Sequence, residues 1–110
     1  MNSFTPPFAI DVASPGVKSL RLRVRGDLDL STSPQLGATL ERAIADGNAV
    51  VVDLSEVTFI DSTGLNTLIS AFRACETNGG ALAISPNLPV QVSRVFEITG
   101  LDGLLPIAPH

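Results

Sequence analysis

Two kinds of strand pattern are visible along the chain. Residues 49–54, Ala-Val-Val-Val-Asp-Leu, form an apolar, β-branched run, which predicts a strand covered on both faces. In residues 20–25, leucine or valine alternates with arginine, which predicts a strand with one solvent-facing side. The arginine stripe would suit a docking surface, although alternating charge is more typical of a solvated, protected face. Two shorter apolar segments, residues 8–12 and 81–84, complete the predicted strands.

Three segments have the spacing of helices with one buried side. From Leu65 onward, apolar residues recur at i, i+3, i+4 and i+7. An earlier helix is predicted to begin at Ser33-Pro34, with the serine as its N-cap, and to close at Asp46-Gly47. A third helix is predicted after the turn at residues 85–87, and it should stop at Gly100. The predicted inward-facing residues of the three helices are Leu36, Leu40, Ala43, Ile44, Leu65, Leu68, Ile69, Phe72, Leu88, Val92, Val95 and Phe96.

The order of these elements predicts an α/β fold. Strands that alternate with helices through short loops favour a parallel sheet with right-handed crossovers. Only the turn Ser14-Pro15-Gly16 separates the first two strands, so they should form an antiparallel hairpin. We expect one domain over residues 8–110, with a mixed, mostly parallel sheet of four to five strands and three or four helices. Residues 1–7 are expected to be a flexible lead-in. Residues 104–107 are at best an edge strand, because the proline there lacks an N–H donor.

The carboxyl ends of the parallel strands should meet at one rim, where ligands and partners usually bind such sheets. That rim is expected to gather the loops at residues 27–29, 55–61 and 85–87, so Asp29 and Ser62 should be neighbours. Two roles are open for Asp29. Its carboxylate could form turn or cap hydrogen bonds with the hydroxyl residues that follow it, or it could contact a partner.

Asp61 occupies the position of an N-cap, since a predicted strand precedes it and the helix containing Leu65 follows it. Its carboxylate could accept the free N–H groups of Thr63 or Gly64. Ser62 and Thr63 then become first-turn hydroxyls, and two interpretations are open. Asp-Ser-Thr is a common helix start, but Ser62 could also accept a phosphoryl group. A helix N-terminus tolerates the added charge of about −1.5 to −2.

Several segments together are more specific than any one of them alone. They are Gly26-Asp27-Leu28-Asp29, Val51-Val52-Asp53-Leu54, Asp61-Ser62-Thr63-Gly64-Leu65, Gly79-Gly80, and residues 92–101, Val-Ser-Arg-Val-Phe-Glu-Ile-Thr-Gly-Leu. In this order and spacing they resemble the signature of STAS domains, specifically the bacterial anti-anti-sigma factors, or anti-sigma factor antagonists. The resemblance extends from about Phe8 to Ile107, and it makes Ser62 the expected phosphoacceptor.

The resemblance implies a protein that works by binding rather than by catalysis. Its unphosphorylated form would bind an anti-sigma factor that is also an ATP-dependent serine kinase, and this would free the sigma factor. Phosphorylation of Ser62 would end the binding, and a serine phosphatase of the PP2C type would restore it. The expected partner-binding residues are Asp29, Ser31, Asp61, Ser62, Thr63, Gly64, Leu65 and Asn66.

The chain departs from the family's pattern in two places. Asn66 stands where the family commonly has glycine, so partner contact near Ser62 could differ. Only a few residues follow Ile107, where related proteins often carry a last helix. A second interpretation is a STAS module that is not switched by phosphate, such as a scaffold subunit or a small-ligand sensor. An enzyme of another type is a more distant third.

Composition argues against nucleic acid and membranes as partners. The net charge is −4, and Lys18 is the single lysine among seven basic residues, so nucleic acid binding is not expected. No apolar run is long enough to span a membrane and residues 1–7 do not resemble an export signal, so we expect a cytoplasmic protein without membrane contact. Cys75 follows Leu68 by seven residues on the same helical stripe and is expected to be a core residue in a reducing compartment.

The sequence offers little support for catalysis or metal binding. The one histidine, His110, is the last residue, and there is neither a Gly-x-Ser-x-Gly elbow nor a phosphate-binding glycine loop with lysine. We therefore expect no catalytic residue and no cofactor. The aspartates at the rim are expected to be caps and surface acids rather than metal ligands, because no His or Cys accompanies them. Receiver-type phosphorylation of Asp53 would be the nearest competing switch, but it requires a lysine on a neighbouring strand end.

Overall fold

We describe residues 7–107 of a computed structural model of the chain. The predicted lead-in, apart from Pro7, and the terminal His110 lie outside the described residues. The elements, in chain order, are β1 (Ala9–Gly16), β2 (Ser19–Leu28), α1 (Ser33–Ala45), β3 (Ala49–Ile60), α2 (Ser62–Asn78), β4 (Ala81–Ile84) and α3 (Val90–Thr99), followed by a single 3₁₀ turn, Leu101–Gly103.

The four strands form one mixed sheet in the order β1-β2-β3-β4. β1 is antiparallel to β2, and the other two pairings are parallel. Beyond β4, Ile107 makes one parallel bridge with Ile84, and the Ile84 N–H donates to the Pro106 carbonyl at 2.8 Å. The predicted fold class is confirmed, and the tail after α3 adds only this edge pairing, as its proline suggested.

The core lies between the sheet and its helices. The α1 and α2 helices pack on each other and cover the sheet face that carries Leu22, Val52 and Leu28. Most predicted inward-facing residues are buried, and so is Cys75, but Ile69, Phe72, Leu88 and Val95 are only partly so. The sequence did not predict that Leu101 and Leu105, after α3, would also be buried.

β3 is longer than predicted, and residues 55–60 belong to the strand rather than to a loop. The β2–β3 ladder shifts register twice, after Arg23 and after Gly26, and each shift places one extra β3 residue against β2. Buried positions therefore fall three residues apart, at Leu54, Val57 and Ile60, instead of the two-residue spacing that marks a strand. Gly26 adopts a φ of +90°, which only glycine adopts readily.

Three other element boundaries differ from the prediction. β1 continues through Ser14-Pro15-Gly16, and the hairpin turns at Val17-Lys18, where the lysine has a φ of +54°. The N-cap of α1 is Thr32 rather than Ser33, which is the first helical residue. Leu88 precedes α3 and is not part of it, because the helix begins after Pro89.

Ion pairs connect the strands on the opposite face of the sheet. The Asp53 carboxylate is 3.1 Å from the Arg21 guanidinium and 3.8 Å from that of Arg23. Its side chain is only 7% exposed, so the arginines cover β3 on this face while apolar packing covers the other. Burial alone would raise the pKa of Asp53, but hydrogen bonds from Ser55 and the charge of Arg21 hold it below its ordinary value. Asp53 lies well before the end of β3, so it is not a rim residue.

Replacing Arg21 with methionine should destabilise the fold, because a buried carboxylate would lose its closest cation. We expect a loss of about 1–3 kcal/mol in the free energy of unfolding at pH 7. Because the folded-state pKa of Asp53 is lowered, its charge stabilises the fold above its ordinary pKa, and this contribution is lost as pH falls through the folded value. The difference between the variant and the wild type should therefore shrink on acidification, as urea unfolding at several pH values would measure.

Arg25→Met is the matched control. Arg25 sits 3.2 Å from Asp11 on the same face, and the Asp11 side chain is 58% exposed, whereas that of Asp53 is 7% exposed. Exposed pairs contribute about 0–1 kcal/mol, so this variant should stay close to the wild type at every pH. If both variants lost the same free energy of unfolding, the burial of Asp53 would not be what makes the Arg21–Asp53 ion pair strong.

Candidate functional site

The ends of β2 and β3 are joined by a main-chain hydrogen bond. The Asp61 N–H donates to the Leu28 carbonyl at 3.2 Å, so the residues that follow, Asp29 and Ser62, emerge at the same end of the sheet. We call residues 27–32 and 58–63 the rim. The predicted contribution of residues 85–87 is wrong, because the Ser85 N–H donates to the carbonyl of Val52, far from the end of β3.

Asp61 caps α2 in the predicted manner. Its Oδ1 accepts the N–H of Gly64 at 3.0 Å, and its main-chain carbonyl accepts that of Leu65 at 3.0 Å. Ser62 is exposed at the first helical position, and within residues 7–107 its hydroxyl makes no hydrogen bond. Thr63 is half-buried, and its main-chain carbonyl accepts a hydrogen bond from the Thr67 hydroxyl. The cap thus leaves the Ser62 hydroxyl accessible.

The loop after β2 is organised around Asp29. Its Oδ1 accepts the Ser31 hydroxyl at 2.7 Å and the main-chain N–H groups of Ser31 and Thr32 at 3.0 and 3.3 Å. The hydroxyl of Ser31 contributes most to lowering the pKa of Asp29. Thr32 donates its own hydroxyl to the carbonyl of Asp27 at 2.7 Å, which folds the loop back on the strand. Asp29 therefore has the turn role that the sequence allowed, and Ser31 lies exposed beside it.

Gly64 and Leu65 face inward, unlike Ser62. A Cβ atom on Gly64 would lie 2.8 Å from both the Cγ and the carbonyl oxygen of Leu28, and 3.0 Å from a side-chain carbon of Ile60. The first turn of α2 therefore approaches the end of β2 more closely than any side chain would permit. Asn66 is exposed and, with Thr63, lines an open groove of about 410 Å³ between α1 and α2.

The rim is acidic and partly apolar. Its two segments contain Asp27, Asp29 and Asp61 but no lysine or arginine. Leu30 and Phe59, which the sequence analysis did not select, are 74% and 50% exposed here. Among the described residues, no group of three His, Cys, Asp or Glu side chains could hold a metal ion. A helix long and apolar enough to cross a membrane is likewise not found among residues 7–107.

Gly64→Ala should destabilise the protein and displace the start of α2, because the Leu28 main chain cannot yield to the new methyl group. We expect a loss of about 1–3 kcal/mol in the free energy of unfolding, measured in urea. Gly37→Ala in α1 is the matched control, since its Cβ would meet only the Thr67 methyl at 3.7 Å. The free energy of unfolding of that variant should equal that of the wild type or exceed it by up to about 1 kcal/mol, because alanine has the higher helix propensity. A Gly64→Ala protein as stable as the wild type would contradict the close approach.

The chain matches one protein family model over most of its length. The model described as "Mlab, STAS domain" matches residues 13–106. The anti-sigma-B factor antagonist of Listeria monocytogenes is 30% identical over 100 residues, which cover 90% of this chain and 87% of that protein. The anti-sigma-B factor antagonist of Staphylococcus aureus is 35% identical over 89 residues, which cover 80% of this chain and 82% of that protein.

Solved structures agree with this match. An anti-sigma factor antagonist from Mycobacterium paratuberculosis superposes with a TM-score of 0.81 at 26% identity, covering 94% of this chain and 87% of its own. The anti-sigma factor antagonist SpoIIAA in its unphosphorylated form shares the fold, with a TM-score of 0.77 at 23% identity over 93% of this chain and 90% of its own. SpoIIAA from Bacillus in its phosphorylated form has a TM-score of 0.71 at 22% identity, over 93% of each chain. The chain therefore belongs to the STAS domain family, in its group of anti-sigma factor antagonists.

Proposed function

We propose that this protein is an anti-sigma factor antagonist switched by phosphorylation of Ser62. Its unphosphorylated form binds a cytoplasmic anti-sigma factor that is also a serine kinase and uses ATP, and this binding frees the sigma factor. The protein is then a kinase substrate rather than an enzyme. The observation that carries the proposal is the exposed Ser62 hydroxyl, free of hydrogen bonds within the described residues, on the first residue of α2.

The geometry of the first turn of α2 supports a phosphoryl group on Ser62. Asp61 already satisfies the Gly64 N–H, while the N–H groups of Ser62 and Thr63 find no partner among the described residues. These free N–H groups and the positive end of the helix dipole favour an anion. The cap and the packing of Gly64 do not use the Ser62 side chain, so the fold should persist after modification. SpoIIAA, which shares the fold, has been solved in both states.

Charge gives a local reason why the phosphate would end partner binding. A phosphoserine adds about −1.5 to −2 charge to a rim that already holds three aspartates and no cation. In a tight interface this charge brings repulsion and a desolvation cost. A loss of about 3 kcal/mol would weaken binding roughly a hundredfold. A serine phosphatase of the PP2C type would remove the phosphate and restore binding.

The proposed partner-binding residues divide into two groups by burial. The carboxylates of Asp29 and Asp61 and the exposed or half-exposed side chains of Ser31, Ser62, Thr63 and Asn66 would meet the anti-sigma factor. Gly64 and Leu65 are buried, so we assign them the role of positioning the first turn of α2. Only one carboxylate oxygen of Asp29 accepts hydrogen bonds within the described residues, so its other oxygen is available to a partner.

Incubation with ATP and the co-encoded candidate kinase should add one phosphate to the protein, detected by intact-mass spectrometry. Ser62→Ala should gain none, because its acceptor is gone, whereas Thr63→Ala should still gain one phosphate, because Ser62 remains. In a binding assay with the same kinase, Ser62→Asp should bind about tenfold more weakly than the wild type, because a carboxylate introduces only part of the phosphate's charge.

Thr63→Ala is the matched control, since it removes the neighbouring hydroxyl of the same helical turn. Phosphate on Thr63→Ala and none on Ser62→Ala establishes the acceptor. An unmodified wild type, in the presence of a kinase shown to phosphorylate another substrate, calls for the remaining candidate kinases. Failure with all of them would contradict the phosphoswitch and favour a scaffold that binds its partner permanently.

A further inference from the structure

Three large apolar side chains are exposed at one end of the molecule. Leu30, Phe59 and Val90 are 74%, 50% and 70% exposed. We call these three residues the apolar strip. Leu30 and Phe59 belong to the rim, and Val90 begins α3. Single exposed apolar residues are ordinary on protein surfaces, but a group that borders a functional position marks an interaction site.

Strand pairing and hydrogen bonds connect the three segments that carry the residues of the strip. Asp27 is paired with Phe59 in the β2–β3 ladder. The Thr32 hydroxyl donates to the Asp27 carbonyl, so the loop that carries Leu30 folds back toward this pair. On the other side, the Gln91 amide donates to the carbonyl of Thr58, which brings the start of α3 next to Phe59. Phe59 therefore lies in the segment to which the other two segments are connected.

The strip is continuous with the proposed phosphorylation site. Phe59 precedes Ser62 by three residues, so their Cα atoms are at most about 11 Å apart. The aspartates of the rim lie in the same two segments, at Asp27, Asp29 and Asp61. A phosphate on Ser62 would therefore lie about one Debye length from Phe59 at 0.1 M salt, where that length is about 10 Å.

We propose that the apolar strip is the hydrophobic anchor of the surface that binds the anti-sigma factor, with Phe59 as its central residue. This inference rests on the proposed function and adds to it the chemistry of the partner. The partner's matching surface should hold an apolar pocket for Phe59, bordered by basic side chains that face the aspartates of the rim. A second copy of this chain is a poor occupant, because its own aspartates would oppose those of the rim without a cation between them.

The strip and the acids should influence different steps of binding. Aromatic anchors in desolvated pockets carry a large share of interface energy, and losing one mainly speeds dissociation. Rim charges mainly set the association rate and its dependence on salt. This division explains how an acidic rim can hold a partner firmly and still be sensitive to two further negative charges.

The test is surface plasmon resonance with the full chain and the co-encoded anti-sigma factor, in a non-hydrolysable ATP analogue that keeps Ser62 unphosphorylated. Phe59→Ala should weaken binding at least about tenfold, chiefly through faster dissociation, and Val90→Ala should weaken it severalfold. Ile98→Ala is the matched control. Ile98 is 78% exposed on the same helix as Val90, but lies about 12 Å further along it. It should bind like the wild type, and circular dichroism should show all three variants folded.

The outcomes separate this inference from the proposed function. Loss of binding in Ser62→Asp, with Phe59→Ala within twofold of the wild type, would overturn the anchor and leave the phosphoswitch intact. Loss in Phe59→Ala with full binding by Ser62→Asp would support the anchor and contradict the switch. A wild type that binds none of the candidate anti-sigma factors would overturn both. A free chain that dimerises, and becomes monomeric in Phe59→Ala, would make a second copy the occupant and also overturn the anchor.

Discussion

The close approach of α2 to the end of β2 sets the geometry of the rim. Gly64 lies against the Leu28 main chain, where a side chain would not fit, and the Asp61 N–H is bonded to the Leu28 carbonyl. Both contacts involve main-chain atoms, so they fix the backbone positions of two segments rather than the rotamers of their side chains. Asp29 and Ser62 each follow one of these segments directly. Their relative placement is therefore a consequence of packing in the fold and does not depend on a hydrogen bond between them.

Features governed by local chemistry could be predicted from the sequence. The Asp61 cap, the glycine that closes α3, and the buried stripes of the helices depend on residues within a turn or two of one another. The proline in the tail likewise indicated that residues 104–107 would pair only at the edge of the sheet. In the structure these elements lie where the sequence placed them, with boundary shifts of one to a few residues. Asp29 also makes the turn hydrogen bonds that were one of the two roles left open for it.

Features that depend on pairing between distant segments could not be predicted. The two register shifts in the β2–β3 ladder change the spacing of buried residues from two to three, so residues 55–60 do not look like a strand in isolation. For the same reason Phe59 was not selected as a site residue, because residues 55–60 were predicted to be a loop rather than part of the sheet. Ser85 was wrongly predicted to lie at the rim. β4 ends opposite Val52, and the sequence did not show how far β3 continues beyond that residue.

Charged residues are used in two different ways in this protein. On the sheet, Arg21, Arg23 and Arg25 are paired with acids of neighbouring strands, so that face is close to electrically neutral and stabilises the fold. At the rim, aspartates serve as caps and turn acceptors but have no cationic partner in the two rim segments. A basic partner can therefore approach the rim without competing against an internal ion pair. On the proposed function, a phosphate on Ser62 would add negative charge to two segments that contain no lysine or arginine, while the ion pairs on the sheet would stay as they are.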